Sequence, residues 1–278
     1  MQQTAFFLIR ITTYFIVAVI AFIIGDIMWK GVPAISWKFL TEMPRKSGAE
    51  GGILPAIVGT LILTLGAVAI ALPLGMATAI YLSEYASQGR FTRTIRLAII
   101  TLAGVPSIVF GLFGLGLFVI FLNFGASILS GCLTLTCMIL PTIIATGEEA
   151  LRAVPLSFRE GSLALGATKW QTIRRNVLPY SIPGMLTGAI LGIGRAAGET
   201  APILLTVAAF YLPKMPRSVF DQVMALPYHL YVLATQLPST ERVMSMQYGT
   251  ALVLLATVLG VNVTAIFLRV HMRKKYKW

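Results

Sequence analysis

The feature that most limits the fold of this 278-residue chain is the length of its uncharged runs. No residue is charged between Glu50 and Glu84, and the 51 positions between Arg96 and Glu148 carry no charge either. The hydrocarbon core of a bilayer is about 30 Å thick, so a helix needs about 20 mostly apolar residues to cross it. Charged residues make up only 12% of the chain, against roughly 25% in soluble domains. The sequence therefore predicts an all-α protein that crosses a membrane several times.

Six membrane spans are predicted from the apolar runs. The first is expected to be an anchor and not a cleaved signal peptide, because no small-residue cleavage site follows it. The turn-like Asn123–Ser127 divides the run from Arg96 to Glu148 into two spans. The expected spans are Phe6–Ile24, Leu54–Leu82, two within Arg96–Glu148, Ile182–Tyr211 and Tyr248–Leu268.

The positions of lysine and arginine predict the orientation of these spans. With the N-terminus inside, the inner segments hold twice as many of these residues as the outer loops, so both termini are expected in the cytoplasm. The net charge of +12 is then mainly a topology signal, and nucleic-acid binding is unnecessary to explain it. The basic tail over 269–278 is also suited to contact anionic lipid headgroups.

The chain carries no motif for catalysis, metal binding or ATP hydrolysis. Cys132 and Cys137 are five residues apart and have no histidine nearby in sequence, so we expect packed thiols and no metal site. His229 and His271 stand alone, in a predicted loop and in the tail. "GATKWQT" at Gly166 only approaches the phosphate-binding G-x-x-x-x-G-K-[ST] pattern. We therefore expect no catalytic residue and no cofactor, and any ATP must be hydrolysed by another chain.

Between the fourth and fifth spans, a polar segment predicts a helix-turn-helix elbow near residues 148–180. Ser157 and Glu160 have the spacing of a capping box at a helix start. Gly166 is suited to end that helix, because glycine adopts the left-handed conformation of a C-terminal cap.

A second capping box, Thr168 with Gln171, predicts a second elbow helix that runs until Pro179. The elbow displays leucine, isoleucine and tryptophan side chains among basic residues. Two readings of this surface remain open: an amphipathic pair that lies on the membrane, or a docking site for another protein.

The elbow resembles the coupling motif of permease subunits in ATP-binding-cassette (ABC) importers, EAA-x3-G-x9-I-x-L-P. The pattern departs from the motif at Asn176, which replaces isoleucine, and at two small residues that replace alanines. The resemblance implies a type I importer permease fold and coupling to separate ATP-binding subunits. In that family the elbow docks into a cleft of the ATPase subunit and carries its closure into the membrane. The residues that match or stand at motif positions are Glu160, Gly161, Ser162, Gly166, Leu178 and Pro179.

Within that family the chain is most similar to phosphate-specific permeases of the PstA type. The segments that carry the similarity are "GGILPAIVGT" at Gly51, "LPLGMATAIYLSEYA" at Leu72, "AGVPSIVFGLFGLGLFV" at Ala103 and "GRAAGETAPILLT" at Gly194. The resemblance implies a bacterial inner-membrane protein that works with a PstC-type permease, two ATP-binding subunits and an external phosphate-binding protein. It also implies a domain plan: residues 1–53 hold the first span and an external loop, and 54–268 form the importer transmembrane domain.

Arg195 and Glu199 are the charged residues of the predicted fifth span. Four residues apart on a helix, they share a face and can pair. An arginine inside the membrane costs about 2.5 to 3.5 kcal/mol, so such residues face a bundle interior or a cavity. Given the resemblance, we expect Arg195 to face phosphate, since its guanidinium is suited to phosphate oxygens, and Glu199 to position it. The structural alternative is a fixed intrahelical salt bridge that holds the bundle together.

Small residues and prolines surround this pair. The spacing of Gly184, Gly188 and Gly192 predicts a close approach by neighbouring helices, and Pro202 predicts a bend near the carbonyl of Gly198. Three further prolines are expected to interrupt spans two to four: Pro73, Pro106 and Pro141.

Two other functions remain open at this point. The first is an ABC importer permease for another oxyanion or solute. The second is an ion-coupled secondary transporter that needs no ATPase, although the coupling-like elbow argues against it.

Overall fold

The computed structural model describes residues 2–45, 50–87, 89–238 and 240–275 as a bundle of helices with one short hairpin. Two of the charges counted for the orientation, Lys46 and Lys277, lie outside the described residues. The hairpin pairs β1 (Pro44–Arg45) with β2 (Glu50–Gly51) in antiparallel register. The helices are α1 Gln2–Gly31, α2 Trp37–Thr41, α3 Leu54–Ile80, α4 Arg90–Ala103, α5 Ser107–Gly114, α6 Ile128–Arg152, α7 Leu156–Ala164, α8 Lys169–Thr172, α9 Leu178–Gly198, α10 Ala201–Thr206, α11 Leu226–Thr235 and α12 Glu241–Lys275.

Five of the described helices are long and apolar enough to cross a membrane, and a bent pair supplies the sixth crossing. Three of these six spans include a π-helical segment: Tyr81–Tyr85 extends α3, Leu115–Phe121 extends α5, and Ile173–Val177 joins α8 to α9. The expectation of an all-helical protein with six spans is thus confirmed, with one span broken. We call the two ends of the bundle the elbow end, where α7 and α8 lie, and the hairpin end, where β1 and β2 lie.

The third span is not one helix. α4 ends at Ala103, α5 starts at Ser107, and the two axes are bent by 103°. Pro106 precedes the first residue of α5 with non-helical backbone angles, φ −57° and ψ 140°, and it cannot continue α4, because it has no amide to donate. Pro73 and Pro141, by contrast, lie inside continuous helices. The prediction of an interruption was therefore right for Pro106 and wrong for these two.

α6 lies at the centre of the bundle and packs against α3 on one side and α9 on the other. The α3 contact is close because small residues face it: a side chain at Gly66 would meet the Sγ of Cys132, and one at Gly75 would meet Ile143. Cys132 is a free, buried thiol, in line with the expected packed thiol. The largest buried apolar cluster joins α3, α6 and α10 around Leu135 and Met138.

The predicted fifth span, Ile182–Tyr211, is wrong at both ends. The helix starts in the elbow at Lys169 and ends at Gly198, and a separate short helix, α10, follows at Ala201. Pro202 occupies the first turn of α10, where its missing amide costs nothing. The bend predicted near Pro202 is therefore a complete break between α9 and α10.

The hairpin end also holds His229, which sequence reasoning placed in a loop. It lies in α11 and is 1% exposed. Its ring stacks on Phe210 with centroids 6.0 Å apart, and neither ring nitrogen has a hydrogen-bond partner among the described residues. Burial lowers the pKa of His229 to about 4, so the ring is neutral at pH 7.

Candidate functional site

The first helix of the elbow, α7, starts at Leu156, two residues earlier than a capping box at Ser157 predicts. Pro155 is the N-cap and no side chain caps the helix, so the expected capping box of Ser157 and Glu160 is wrong. The helix end is as predicted: Gly166 has φ +83°, and its amide donates to the carbonyl of Leu163 over 2.9 Å. This is the left-handed glycine cap that closes many helices.

The second helix of the elbow starts with the predicted capping box. The amide of Gln171 donates to Thr168 Oγ1 over 3.3 Å, and Gln171 Oε1 accepts from the amide of Thr168 over 2.8 Å. The helix does not end at Pro179, however, but continues through the π segment Ile173–Val177 into α9. The π segment shifts the hydrogen-bond register just before Pro179, which has no amide to donate. The second helix of the elbow and the fifth span therefore form one continuous helix.

The residues predicted to couple to an ATPase fall into two groups. Glu160, Gly161 and Gly166 are exposed on the elbow tip, which we define as α7 and α8 with their connection. Leu178 is partly buried at the base of the elbow, where it packs against an apolar cluster, and Pro179 next to it is partly buried as well. The first group is therefore the more accessible to another protein.

Ser162 has a different position from its neighbours in the motif. It is buried, and its Oγ lies 2.9 Å from Oγ1 of Thr172. This hydrogen bond joins the two helices of the elbow tip. Large apolar side chains beside it are exposed, with Leu165 at 90% and Trp170 at 53%. A protein partner would cover such a surface.

Arg195 and Glu199 form the predicted ion pair, with 3.5 Å between Arg195 Nε and Glu199 Oε1. The pair differs from the expected geometry, because α9 ends at Gly198 and Glu199 is in extended conformation. The two side chains therefore meet across the end of a helix and not along its face. Their exposed fractions are 31% for Arg195 and 19% for Glu199. The last turn of a helix has a partial negative charge, which stabilises the guanidinium.

Polar groups of two other helices approach this pair. Glu199 lines a small cavity of about 10 Å³ together with Thr60 and Thr64 of α3, a volume of roughly one water molecule. On α12, Asn262 lies against Gly194, and its Oδ1 has no hydrogen-bond partner among the described residues. Sequence reasoning missed Asn262, although an amide within the apolar run Tyr248–Leu268 was the signal that could have found it.

The glycines of α9 serve its contact with α6. A side chain at Gly184 would meet Ala150, and one at Gly188 would meet Thr146. Gly198, at the helix end, has no described atom near such a side chain. The predicted close approach is confirmed for the stretch up to Gly188, while the change of direction occurs at Glu199.

No group of three or more His, Cys, Asp or Glu among the described residues is placed to hold a metal ion. The arrangement instead consists of transmembrane helices, one of them broken beside a charged pair, and an exposed helical elbow at one end. Such broken transmembrane helices beside charged groups are typical of membrane transport proteins, and the exposed elbow offers a surface to a partner outside the bilayer.

Comparison with known proteins gives the family. Residues 71–277 match the model of the binding-protein-dependent transport system inner membrane component. The chain belongs to this family of ABC importer permeases, and it is a multi-pass inner-membrane transport subunit, not an enzyme. Membership of a binding-protein-dependent ABC system implies ATPase and binding-protein partners. It also decides against the ion-coupled secondary transporter.

Two relatives show how far the similarity extends. The "Probable ABC transporter permease protein YqgI" of Bacillus subtilis (strain 168) is 33% identical over 274 residues, which are 94% of this chain and 92% of that protein. The "Phosphate transport system permease protein PstA 1" of Mycobacterium tuberculosis (strain CDC 1551 / Oshkosh) is 41% identical over 221 residues, 79% and 71% of the two chains.

Solved structures share the fold at low sequence identity. An inward-facing form of the MetNI methionine ABC transporter matches with a TM-score of 0.64 at 16% identity, covering 79% of this chain and 95% of that chain. A bacterial ABC transporter involved in the import of alginate matches with a TM-score of 0.63 at 15% identity, covering 93% of both chains. The expected importer-permease fold is therefore confirmed.

Proposed function

We propose that this chain is a phosphate permease of the PstA type. In this function it forms the translocation path with a PstC-type permease, is driven by two ATP-binding subunits, and receives phosphate from an external binding protein. The proposal is supported by the similarity to PstA 1. The observation that carries it is the Arg195–Glu199 pair at the broken end of α9.

The geometry of that pair suits an exchange of partners. The closest approach of the pair, Nε to Oε1, is 3.5 Å, and the two Nη groups of Arg195 make no hydrogen bond among the described residues. They are suited to phosphate oxygens, which match the planar fork of a guanidinium. Glu199 compensates the charge of Arg195 when no anion is bound, and gives up part of this pairing when phosphate arrives. Broken transmembrane helices are a usual place for such sites, because their free backbone groups line a cavity.

The elbow tip is the proposed contact with the ATP-binding subunits. Glu160, Gly161 and Gly166 are exposed there beside Leu165 and Trp170. An apolar patch with a glycine at its turn allows close approach by a groove of another protein. Ser162 joins the two helices of the tip through its hydrogen bond to Thr172, and Leu178 and Pro179 lie at the base of the elbow.

The proposed orientation places the elbow end, the basic tail and both termini in the cytoplasm of a bacterial cell. It follows the excess of lysine and arginine in the segments at that end. The hairpin end then faces the external binding protein. Arg195 lies one turn from the end of α9, on the side from which phosphate arrives.

The test is purification of the chain with its bound partners, followed by transport assays in vesicles. We expect ATP-dependent uptake of phosphate, and ATP hydrolysis that rises when the loaded phosphate-binding protein is added. Sulfate and other oxyanions serve as competing solutes. Stimulation by another solute and none by phosphate would identify an importer for that solute, and uptake by the chain without an ATPase would contradict the proposal altogether.

A further inference from the structure

One arginine of the elbow tip, Arg159, makes four hydrogen bonds. Its Nη2 and Nε donate to Oε1 and Oε2 of Glu84 over 2.7 and 3.3 Å. Its Nη1 donates to the carbonyl of Val154 over 2.7 Å, and Nη2 donates also to the carbonyl of Leu151 over 2.8 Å. The guanidinium of Arg159 therefore joins three segments: α7, the last turn of α6, and the π-helical end of α3.

This contact is enclosed. The side chains of Arg159 and Glu84 are 16% and 8% exposed, and the two-point contact is the strong form of an arginine-carboxylate pair. A buried pair of this kind is costly to break from one side, because a charge is left without compensation. The nearby Arg152–Glu148 pair is of another type, since Arg152 is 54% exposed.

Other contacts of the elbow tip support the same connection. Lys169 of α8 lies over the ring of Tyr85, 5.0 Å from its centroid, so α3 is held at two points of its π segment. Phe158 of α7 packs edge-on against Tyr180 of α9 with centroids 5.0 Å apart. An apolar cluster fills the space beneath: Ala79, Leu151, Val154, Val177 and Met185. The tip and the end of α3 are packed as one body.

From this end α3 runs without interruption through the bundle. The helix with its π segment covers Leu54–Tyr85. Near its other end it contributes Thr60 and Thr64 to the cavity that Glu199 lines. A continuous helix of 32 residues is about 48 Å long. Arg159 is therefore tied to an element that reaches the proposed phosphate site.

We propose that the Arg159–Glu84 pair is the link through which the elbow tip moves α3, and with it the Thr60–Thr64 wall of the Glu199 cavity. Arg159 is a positioning residue that does not touch the solute. The inference rests on the proposed function, in which ATP-binding subunits displace the elbow tip. Two regions connected by a rigid element move together, and a broken connection separates ATP hydrolysis from transport.

The first test measures the number of phosphate ions imported per ATP hydrolysed by the complete transporter in vesicles. For Arg159→Ala we expect this ratio to fall about tenfold, while stimulated ATP hydrolysis stays within about twofold of the wild type. A purely structural role would lower both rates together through loss of assembled complex. Arg152→Ala, which removes an exposed arginine of the same elbow end, is the matched control and should keep the wild-type ratio.

Two further variants keep the inference testable if Arg159→Ala does not assemble into the transporter. Glu84→Gln keeps the shape and an oxygen acceptor but removes the charge, so we expect the ratio to fall about threefold. Glu84→Ala combined with Arg159→Ala should be no worse than either change alone, because both remove one link. A wild-type ratio in Arg159→Ala or in Glu84→Gln would overturn the inference.

A second test does not depend on the identity of the solute. Spin labels at the exposed positions Leu65 on α3 and Leu156 on α7 report the distance between these helices, with Cys132 and Cys137 replaced by alanine. In the wild type this distance should stay constant on addition of ATP, and in Arg159→Ala it should change. A changing distance in the wild type would refute the link. Absence of phosphate transport together with a constant distance would refute the proposed solute alone.

Discussion

Two arginine-glutamate pairs, one at each end of the bundle, differ in how firmly they are held. At the elbow end, Arg159 and Glu84 meet at two points, the shorter 2.7 Å, with side chains 16% and 8% exposed. At the hairpin end, Arg195 and Glu199 share one contact of 3.5 Å, with side chains 31% and 19% exposed. The first arginine also donates to two backbone carbonyls, while the second lies where α9 ends.

The difference shows how the same two residue types serve opposite purposes. Full hydrogen bonding and burial fix a pair in one arrangement, because every alternative leaves a buried charge without a partner. Partial exposure and a single contact lower that cost, so a competing anion can take the place of the carboxylate. We therefore interpret the elbow-end pair as a fixed joint and the hairpin-end pair as an exchangeable one.

The largest effect is expected for Arg195→Ala. If Arg195 recognises phosphate, its removal should lower phosphate uptake by about 100-fold, equivalent to a loss of about 3 kcal/mol. The variant should still assemble with its partners, because the pair is partly exposed and its closest contact is 3.5 Å long. Uptake into vesicles, normalised to the amount of purified complex, measures both quantities.

The control for this change is Arg195→Lys, which keeps the charge and loses the planar fork. It should transport better than Arg195→Ala and worse than the wild type. Normal uptake by Arg195→Ala would contradict the interpretation as an exchangeable pair and favour the alternative, a fixed structural salt bridge.

A second prediction concerns how the stability of the hairpin end depends on pH. Burial lowers the pKa of His229 to about 4 from its ordinary value of 6.5. As pH falls, the unfolded chain takes up this proton first, so stability is full above pH 6.5 and is lost as pH falls towards 4, by up to about 3 kcal/mol. His229→Phe, which keeps the stack on Phe210, should remove this part of the pH dependence. Thermal unfolding of both proteins between pH 7.5 and 4.5 measures it, and identical slopes would contradict the buried neutral ring.

The contact between α9 and α6 offers a third test, because it holds the stretch of α9 between the two ends. A side chain at Gly188 would collide with Thr146, so Gly188→Leu should lower the free energy of unfolding by about 2 kcal/mol. Gly260→Leu on α12, whose side chain would start with no described atom within 4 Å, is the matched control. Equal thermal stability of the two variants would show that α9 is held less tightly than the structure indicates.

Glu199→Gln should have a smaller effect than loss of Arg195. If phosphate binds Arg195 as proposed, the neutral amide no longer competes with it, so release slows and maximal uptake falls about fivefold, or about 1 kcal/mol. The rate at saturating binding protein measures this step. A loss as large as that in Arg195→Ala would instead indicate that the two residues act as one fixed unit.

The smallest expected effect tests local order at the elbow tip. Thr168→Ala removes an observed cap and should cost about 1 kcal/mol of local stability. Ser157→Ala removes a hydroxyl that caps nothing at the start of α7 and should cost less than about 0.5 kcal/mol. Amide hydrogen exchange in the two helices distinguishes them. Equal protection in both variants would show that the cap does not hold the tip.

The sequence was most informative where one local rule decides the structure. Apolar run lengths predicted the spans, and Thr168 with Gln171 and Gly166 with its positive φ marked helix ends correctly. Prediction from the sequence failed where several neighbouring residues could each start or end the same helix. Ser157 was predicted as part of a cap, although the preceding Pro155 already fixes the start of α7.

The candidate sites show the same division. The spacing of Arg195 and Glu199 correctly indicated contact, but it could not reveal that the helix ends between them, because an unbroken apolar run continues on both sides. The pairing of Arg159 with Glu84 joins residues 75 positions apart. No periodicity within one element predicts such a contact. In the sequence analysis Arg159 contributed only to the number of basic residues that predicts the membrane orientation.

The broken third span has a consequence for the surrounding lipid. After the bend of 103°, α5 has eight residues and its π extension seven, together at most about 22 Å at 1.5 Å per residue. The hydrocarbon core of a bilayer is about 30 Å thick. A bilayer that meets this flank must become thinner by several ångströms or take the arginines of α4 below its headgroups. Acyl-chain length is thereby a variable of the transporter, alongside solute and ATP.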